Sequence, residues 1–230
     1  LLKWRLSTMF NELFPNITLQ ETLEATYETL YMTILSLAGT VILGLLLGLL
    51  LYLTSKNGLW ENRYVYSVTS AVVNIFRAIP FIILILLLFP FTNFLVGTIR
   101  GPNAALPALI IGSAPFYARL VEIALIEVDK GVIEAAKAMG AKTRTIIFKV
   151  LLPESMPALV SGITVTAIAL IGYTAMAGVI GAGGLGNHAY YYGFMRRDFD
   201  VVFVCTVVIV LLVFIFQFIG DFVSKRIDKR

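Results

Sequence analysis

The 230-residue chain is 59% hydrophobic, with a mean hydropathy of +0.89 and a formal net charge of +4. A soluble domain carries roughly 45–50% apolar residues, so the composition argues against a water-soluble fold. The excess lysines and arginines sit on short segments between apolar spans, which fits orientation at a membrane and not nucleic-acid binding.

Residues 1–28 are mixed in character and carry Glu12, Glu21, Glu24 and Glu28. This is not the pattern of a cleavable signal peptide, so residues 1–27 are expected to be an extracytoplasmic segment and the first span to direct insertion. Between Glu28 and Lys56 lie 27 uncharged residues, more than the roughly 20 needed to cross the hydrocarbon. They predict a first helix at 29–53, in which Gly44 and Gly48 have the G-x-x-x-G spacing that permits close helix contact. A second helix is predicted at 66–96, kinked at Pro80, with Arg77 reaching to the interface.

A third helix is predicted at 103–126. Arg119 and Glu122 lie one helical turn apart near its end. A charge inside a span costs roughly 2.5–3.5 kcal/mol on insertion scales unless it is paired or near water, so a structural ion pair is expected.

The loop at 127–154 is the longest between the predicted spans. At helical spacing, Val132, Ala135, Ala136 and Met139 fall at i, i+3, i+4 and i+7 and form one narrow apolar face, with Glu134 and Lys137 pointing elsewhere. Gly140 supplies a C-terminal stop. Ile146, Ile147, Val150 and Leu151 repeat the pattern before Pro153, which is expected to end it. Two short helices joined at Gly140 result, suited to passing a rigid-body push into the membrane helices; an amphipathic helix lying on the membrane is the other reading of the same residues.

The uncharged stretch 155–195 is too long for one crossing. Gly178, Gly181, Gly183, Gly184 and Gly186 crowd its second half, and glycine weakens helices while permitting turns, so a fourth helix at 155–179 is predicted to leave the membrane near 178–180. The run from Gly181 to Gly186 has the form G-x-G-x-x-G, but a membrane helix precedes it where a dinucleotide site requires a strand; a glycine-rich external turn is expected instead. His188, the single histidine, has no cysteine or acidic neighbour in sequence to support a metal site or a triad, and reads as an external-loop residue. A fifth helix at 200–222 contains the lone Cys205, expected to pack as a small hydrophobe, and a basic tail at 222–230 follows. No G-x-x-x-x-G-K-[ST] phosphate loop occurs. ATP is therefore not expected to be bound in the usual way by this chain but by a partner, and no residue is singled out as catalytic, metal-binding or cofactor-binding.

Five helices place the termini on opposite sides. The loops 54–65 and 127–154 together with the tail hold eleven basic residues, against five on the alternate segments: Lys3, Arg5, Arg100, Arg196 and Arg197. By the positive-inside rule the N-terminus is outside and the C-terminus cytoplasmic.

Glu134-Ala135-Ala136, Gly140 and Val150-Leu151-Leu152-Pro153 resemble the EAA loop of ABC import permeases. The resemblance covers about Glu28 to Asp221. Asn74 to Phe81, Ala114 to Arg119, and Gly172 to Met176 running into Gly181–Gly186 are similar to the methionine-importing branch of that family. The resemblance implies an all-α, polytopic type I ABC importer permease fold, with a transmembrane domain at 28–221 and a cytoplasmic coupling loop at 127–154. It further implies that Glu134, Ala135, Ala136, Met139, Gly140 and Pro153 belong to the surface that docks on an ATPase. Met176, one turn after Tyr173, is placed with it in the translocation path or gate, helix packing being the alternative for Met176. Implied partners are a second copy, two cytoplasmic ABC ATPase subunits, an extracytoplasmic methionine-binding protein and the lipid bilayer of a prokaryotic plasma membrane. The rival readings are a permease for another amino acid or small solute, a secondary transporter, which would need ion-coupling carboxylates within its spans and often an internal repeat, and a membrane scaffold.

Overall fold

In the computed structural model, which describes residues 18–227, the chain is built from helices and turns, with no strand among the described residues. The helices are α1 (Leu19–Thr54), α2 (Arg63–Ala78), α3 (Phe81–Leu87), α4 (Phe89–Val96), α5 (Pro102–Ile126), α6 (Lys130–Ala138), α7 (Thr143–Val179), α8 (Gly184–Asn187) and α9 (Phe199–Ile227). A π-helical segment, His188–Phe194, continues α8. Among the described residues α1, α5, α7 and α9 are long and apolar enough to cross a membrane, and the bent pair α2 and α3 makes a fifth candidate if the two are taken as one broken span.

Helix α1 starts at Leu19 and not at 29, because a helix outlasts the hydrocarbon it crosses. Glu21 in its first turn is favoured by the helix dipole, and Thr26, Thr29 and Thr33 return their hydroxyls to carbonyls four residues back. The predicted kink in the second span is a complete break. Ile79 before Pro80 is extended (φ −76°, ψ 124°), the geometry proline imposes on its predecessor, and the two helices meet at 105°. Asn62 caps α2 by accepting from the Tyr64 and Val65 amides.

Pro153 does not end a helix, contrary to the sequence expectation. Helix α7 runs through it, with a π-helical turn over Ile147–Leu151 just before. Proline lacks an N–H and its ring crowds the carbonyl four residues back; the wider π turn, closed by the Leu152 amide on the Ile147 carbonyl, relieves that conflict.

The chain forms two compact units. One gathers the described residues up to Leu37 with Pro80–Ile110 and Ala167–Ile215, around a core of Met32, Ile85, Leu109 and Leu170. The other joins Ala38–Ile79, Ile111–Thr166 and the stretch from Phe216, around Tyr117, Val121, Leu125 and Leu151. The turns after α4 and α7 fall in the first unit; the loop after α1, the segment after α5 and the end of α9 fall in the second.

In the second unit α1 lies against α5 through its two glycines. A Cβ on Gly44 would stand 2.8 Å from the Tyr117 ring, and one on Gly48 would stand 2.5 Å from Val121 Cβ and 2.6 Å from the Ala118 carbonyl. The G-x-x-x-G is therefore in use as a contact surface. Only 17% of the most apolar stretch of α9 is buried within the chain, leaving Phe214, Phe218 and Phe222 exposed; such a face calls for lipid or another subunit. Gly48→Leu should lower the thermal unfolding midpoint of the detergent-solubilised protein, overpacking of this kind costing about 1–3 kcal/mol. An unchanged midpoint would show that α1 and α5 are not held in close contact.

Candidate functional site

The loop between α5 and α7 carries the residues singled out by sequence. Asp129 caps α6, its carboxylate accepting from the Gly131 amide at 2.7 Å. At the other end Gly140 adopts φ +78°, its amide donates to the Lys137 carbonyl, and the Ala141 amide donates to the Ala136 carbonyl. These two bonds define a Schellman stop, which needs the left-handed conformation glycine adopts without penalty.

The expected apolar face divides into two stripes. Ile133 and Ala136 turn inward and join the core of Leu125, Ile146 and Leu151. Val132, Ala135 and Met139 remain exposed, Met139 at 82%. Ala136 is thereby corrected from the outward to the inward side, and Ile133, which sequence reasoning passed over, is its partner. Glu134 and Pro153 are exposed as well. The arrangement is a short helix whose inner stripe is fixed to the ends of two long helices while its outer stripe is uncovered.

Beside it stands the charged pair of α5. An Arg119 guanidinium nitrogen lies 2.6 Å from Glu122 Oε2, and the Tyr66 hydroxyl donates to Oε1 at 3.2 Å, tying α2 to α5. Glu122 is almost fully buried and Arg119 about one-third exposed. A buried carboxylate is tolerated when paired and hydrogen-bonded, and both conditions hold here. The carboxylate serves to join helices.

Tyr173 and Met176 lie in the other unit, near the end of α7, and part company. The Tyr173 ring stacks on Phe81 at 4.5 Å, whereas Met176 is 46% exposed. Tyr173 packs against a neighbouring element, and Met176 is the one free to contact something outside the chain.

The glycine run after α7 is a tight reversal that begins, as predicted, just past Val179. Gly181, Gly183 and Gly184 have φ between +78° and +94°. Gly178 packs against the Asn187 amide and Gly186 against Ala175, leaving no room for a Cβ at either. The Glu28 carboxylate accepts from the Gly184 amide at 2.6 Å and the Thr29 hydroxyl from the Leu185 amide at 2.8 Å, so α1 caps the element that follows the turn. In sequence Glu28 stood out only as the last charge before a long apolar run. His188 is corrected from a loop residue to a buried helical one, with its ring 4.9 Å from that of Tyr192. Burial holds its imidazole below the usual histidine range, reinforced by Arg196 and opposed by Glu21. Among the described residues no cluster of three His, Cys, Asp or Glu could hold a metal.

Residues 40–229 match the family model of the binding-protein-dependent transport system inner membrane component. The chain belongs to this family. As one of these permeases it is a multi-pass membrane protein, and its closely related proteins are consistent in kind. It is 70% identical over 222 residues, 96% of its length and all of the relative, to the methionine import system permease protein MetP of Bacillus subtilis. It is 48% identical to the probable D-methionine transport system permease protein MetI of Pasteurella multocida, over 78% of the chain and 82% of that relative. Among solved structures an inward-facing form of the MetNI methionine ABC transporter matches with a TM-score of 0.90 and 44% identity, covering 92% of this permease and 98% of the other chain.

Arg119→Met should strand the Glu122 carboxylate and destabilise the permease by up to about 3 kcal/mol, the low end of the range for a broken buried pair because Arg119 is partly exposed. Adding Glu122→Leu should restore most of that loss. Thermal melts of the single and double variants check this; equal destabilisation in both would mean that the pair is not what joins the helices.

Proposed function

We propose that this chain is the transmembrane permease subunit of an ATP-driven ABC importer for methionine. The observation that carries the reading is the 70% identity, over 96% of this chain and the full length of the relative, to a methionine import permease. The outer stripe of α6, formed by Val132, Ala135 and Met139, fits a groove on a separate ATPase subunit. Its inner stripe, on Ile133 and Ala136, gives any displacement of α6 a direct mechanical route to α5 and α7.

The permease works as a homodimer, consistent with the large uncovered apolar face of α9. Two ATPase subunits dock on the basic side, at the loops 54–65 and 127–154, and an external binding protein delivers the amino acid to the opposite side. The N-terminus is outside and the C-terminus cytoplasmic, in keeping with the eleven-to-five distribution of basic residues. No covalent chemistry falls to this subunit, and nucleotide is bound by the partner. Met176, exposed near the end of α7, contributes a flexible side chain to the path or its gate, and Tyr173 holds the segment through Phe81.

Reconstituted in proteoliposomes with its ATPase partner and the external binding protein, the wild-type chain should give ATP-dependent uptake of methionine. Ala135→Trp, on the outer stripe, should retain the assembled fold yet lose most uptake per ATP hydrolysed. No uptake by a correctly assembled wild-type complex contradicts the transport reading; unaltered coupling in the variant contradicts the docking assignment.

A further inference from the structure

On the unit that contains the glycine turn, an open cavity of about 740 Å³ is lined by Arg100, Ile180, Asn187, Tyr191, Tyr192, Met195 and Arg196, with the Gly181 backbone. Arg100 comes from the turn before α5 and Arg196 from the turn before α9. The Gly101 amide, donating to the Gly181 carbonyl at 2.9 Å, ties the turn that carries Arg100 to the glycine turn after α7, and Arg196 lines the same cavity from the end of the segment that follows. None of the residues lining the cavity is acidic.

Two of the five basic residues on the sparsely basic side of the topology thus line one hollow. Arg196 is held over the Tyr192 ring at 4.5 Å, a stacked arrangement that restrains a planar cation while its edge remains available for hydrogen bonding. Guanidinium is the side chain suited to gripping a carboxylate through paired hydrogen bonds. Apart from Asn187, the remaining side chains are apolar or aromatic. Ile180, Met195 and the two tyrosines offer surface to a thioether chain, and sulfur makes favourable contacts with aromatic edges. The Asn187 amide nitrogen donates to the Gly178 carbonyl at 3.0 Å, which leaves its oxygen as an acceptor for an ammonium group.

We propose that this cleft is an entry subsite on the permease itself, where an incoming amino acid is held by its α-carboxylate between Arg100 and Arg196 with its side chain against Met195, Tyr191 and Tyr192. The subsite rests on the methionine reading and deepens it: the permease would select for a carboxylate and a soft apolar chain after the external protein has let go.

The test uses the permease assembled with its ATPase partner in nanodiscs, without external binding protein, and the diazirine analogue photo-methionine as probe. Labelling should map to the segment 180–196 of this chain and be displaced by methionine. Methioninol, which has an alcohol in place of the carboxylate, should displace it roughly tenfold less well, as expected for loss of charge-assisted hydrogen bonds. Arg100→Gln combined with Arg196→Gln should abolish the labelling, and the two Arg→Lys changes, which keep the charge and guard against misfolding, should leave it intermediate. Equal displacement by methionine and methioninol overturns the proposal. So does undiminished labelling of the Gln variant accompanied by weakened association with the external binding protein, because the arginines would then grip an acidic protein surface. Uptake by the wild-type permease reconstituted in proteoliposomes with both its ATPase partner and the external binding protein separates the two readings. Methionine uptake without carboxylate-dependent labelling sinks the subsite alone, and carboxylate-dependent labelling without uptake sinks the transport reading alone.

Discussion

The burial of Ile133 and Ala136 against Leu125, Ile146 and Leu151 is the contact that fixes a connecting loop to the ends of two long helices and that the proposed function uses as a lever. A helix of nine residues is too short to be stable alone in water, and α6 would not hold a shape if its inner stripe were free. Its two ends are fixed locally, by Asp129 at one and the left-handed Gly140 at the other. Its orientation is fixed by packing. Because close-packed interiors do not deform smoothly, a push on the exposed Met139 side is passed on to the ends of α5 and α7 and is not absorbed at the surface.

The same unit is stiffened by interactions that leave little slack. Gly44 and Gly48 bring α1 onto α5 at a distance any side chain would prevent, and the Arg119–Glu122–Tyr66 cluster binds α5 to α2. In the other unit the Glu28 and Thr29 side chains cap the segment after the glycine turn. These polar contacts use few groups, each of them paired, as groups in an apolar surrounding must be. In the proposed function, coupling depends on rigidity at the docking loop, and Met176, which is exposed, is the residue assigned to supply adaptability in the path.

Much of this was legible in the sequence because hydrocarbon imposes a coarse constraint. The third helix, predicted at 103–126, forms over Pro102–Ile126, and the exit of the fourth near 178–180 falls after Val179. The stop at Gly140 and the pairing of Arg119 with Glu122 follow from local spacing and are present. Other features depend on partners remote in sequence and gave no such signal. Glu28 meets Gly184 across 156 positions. The inward turn of Ala136 is decided by what α5 and α7 present to it, and His188 is buried by the fold of the segment around it. Pro153 was misread for a local reason: the π turn that accommodates it has no composition of its own, so proline looked like a terminator.

The central claim is that α6 moves as one body with the ends of α5 and α7. Pulsed electron resonance on the assembled transporter tests it directly, with spin labels at the exposed positions Met139 and Ile126 of one protomer and, in a second sample, at Met139 of both protomers. Between the nucleotide-free and ATP-bound states the distance from Met139 to Ile126 should stay constant while that between the two Met139 positions changes. A change in the distance within one protomer as large as that between protomers would show that the loop flexes instead of transmitting.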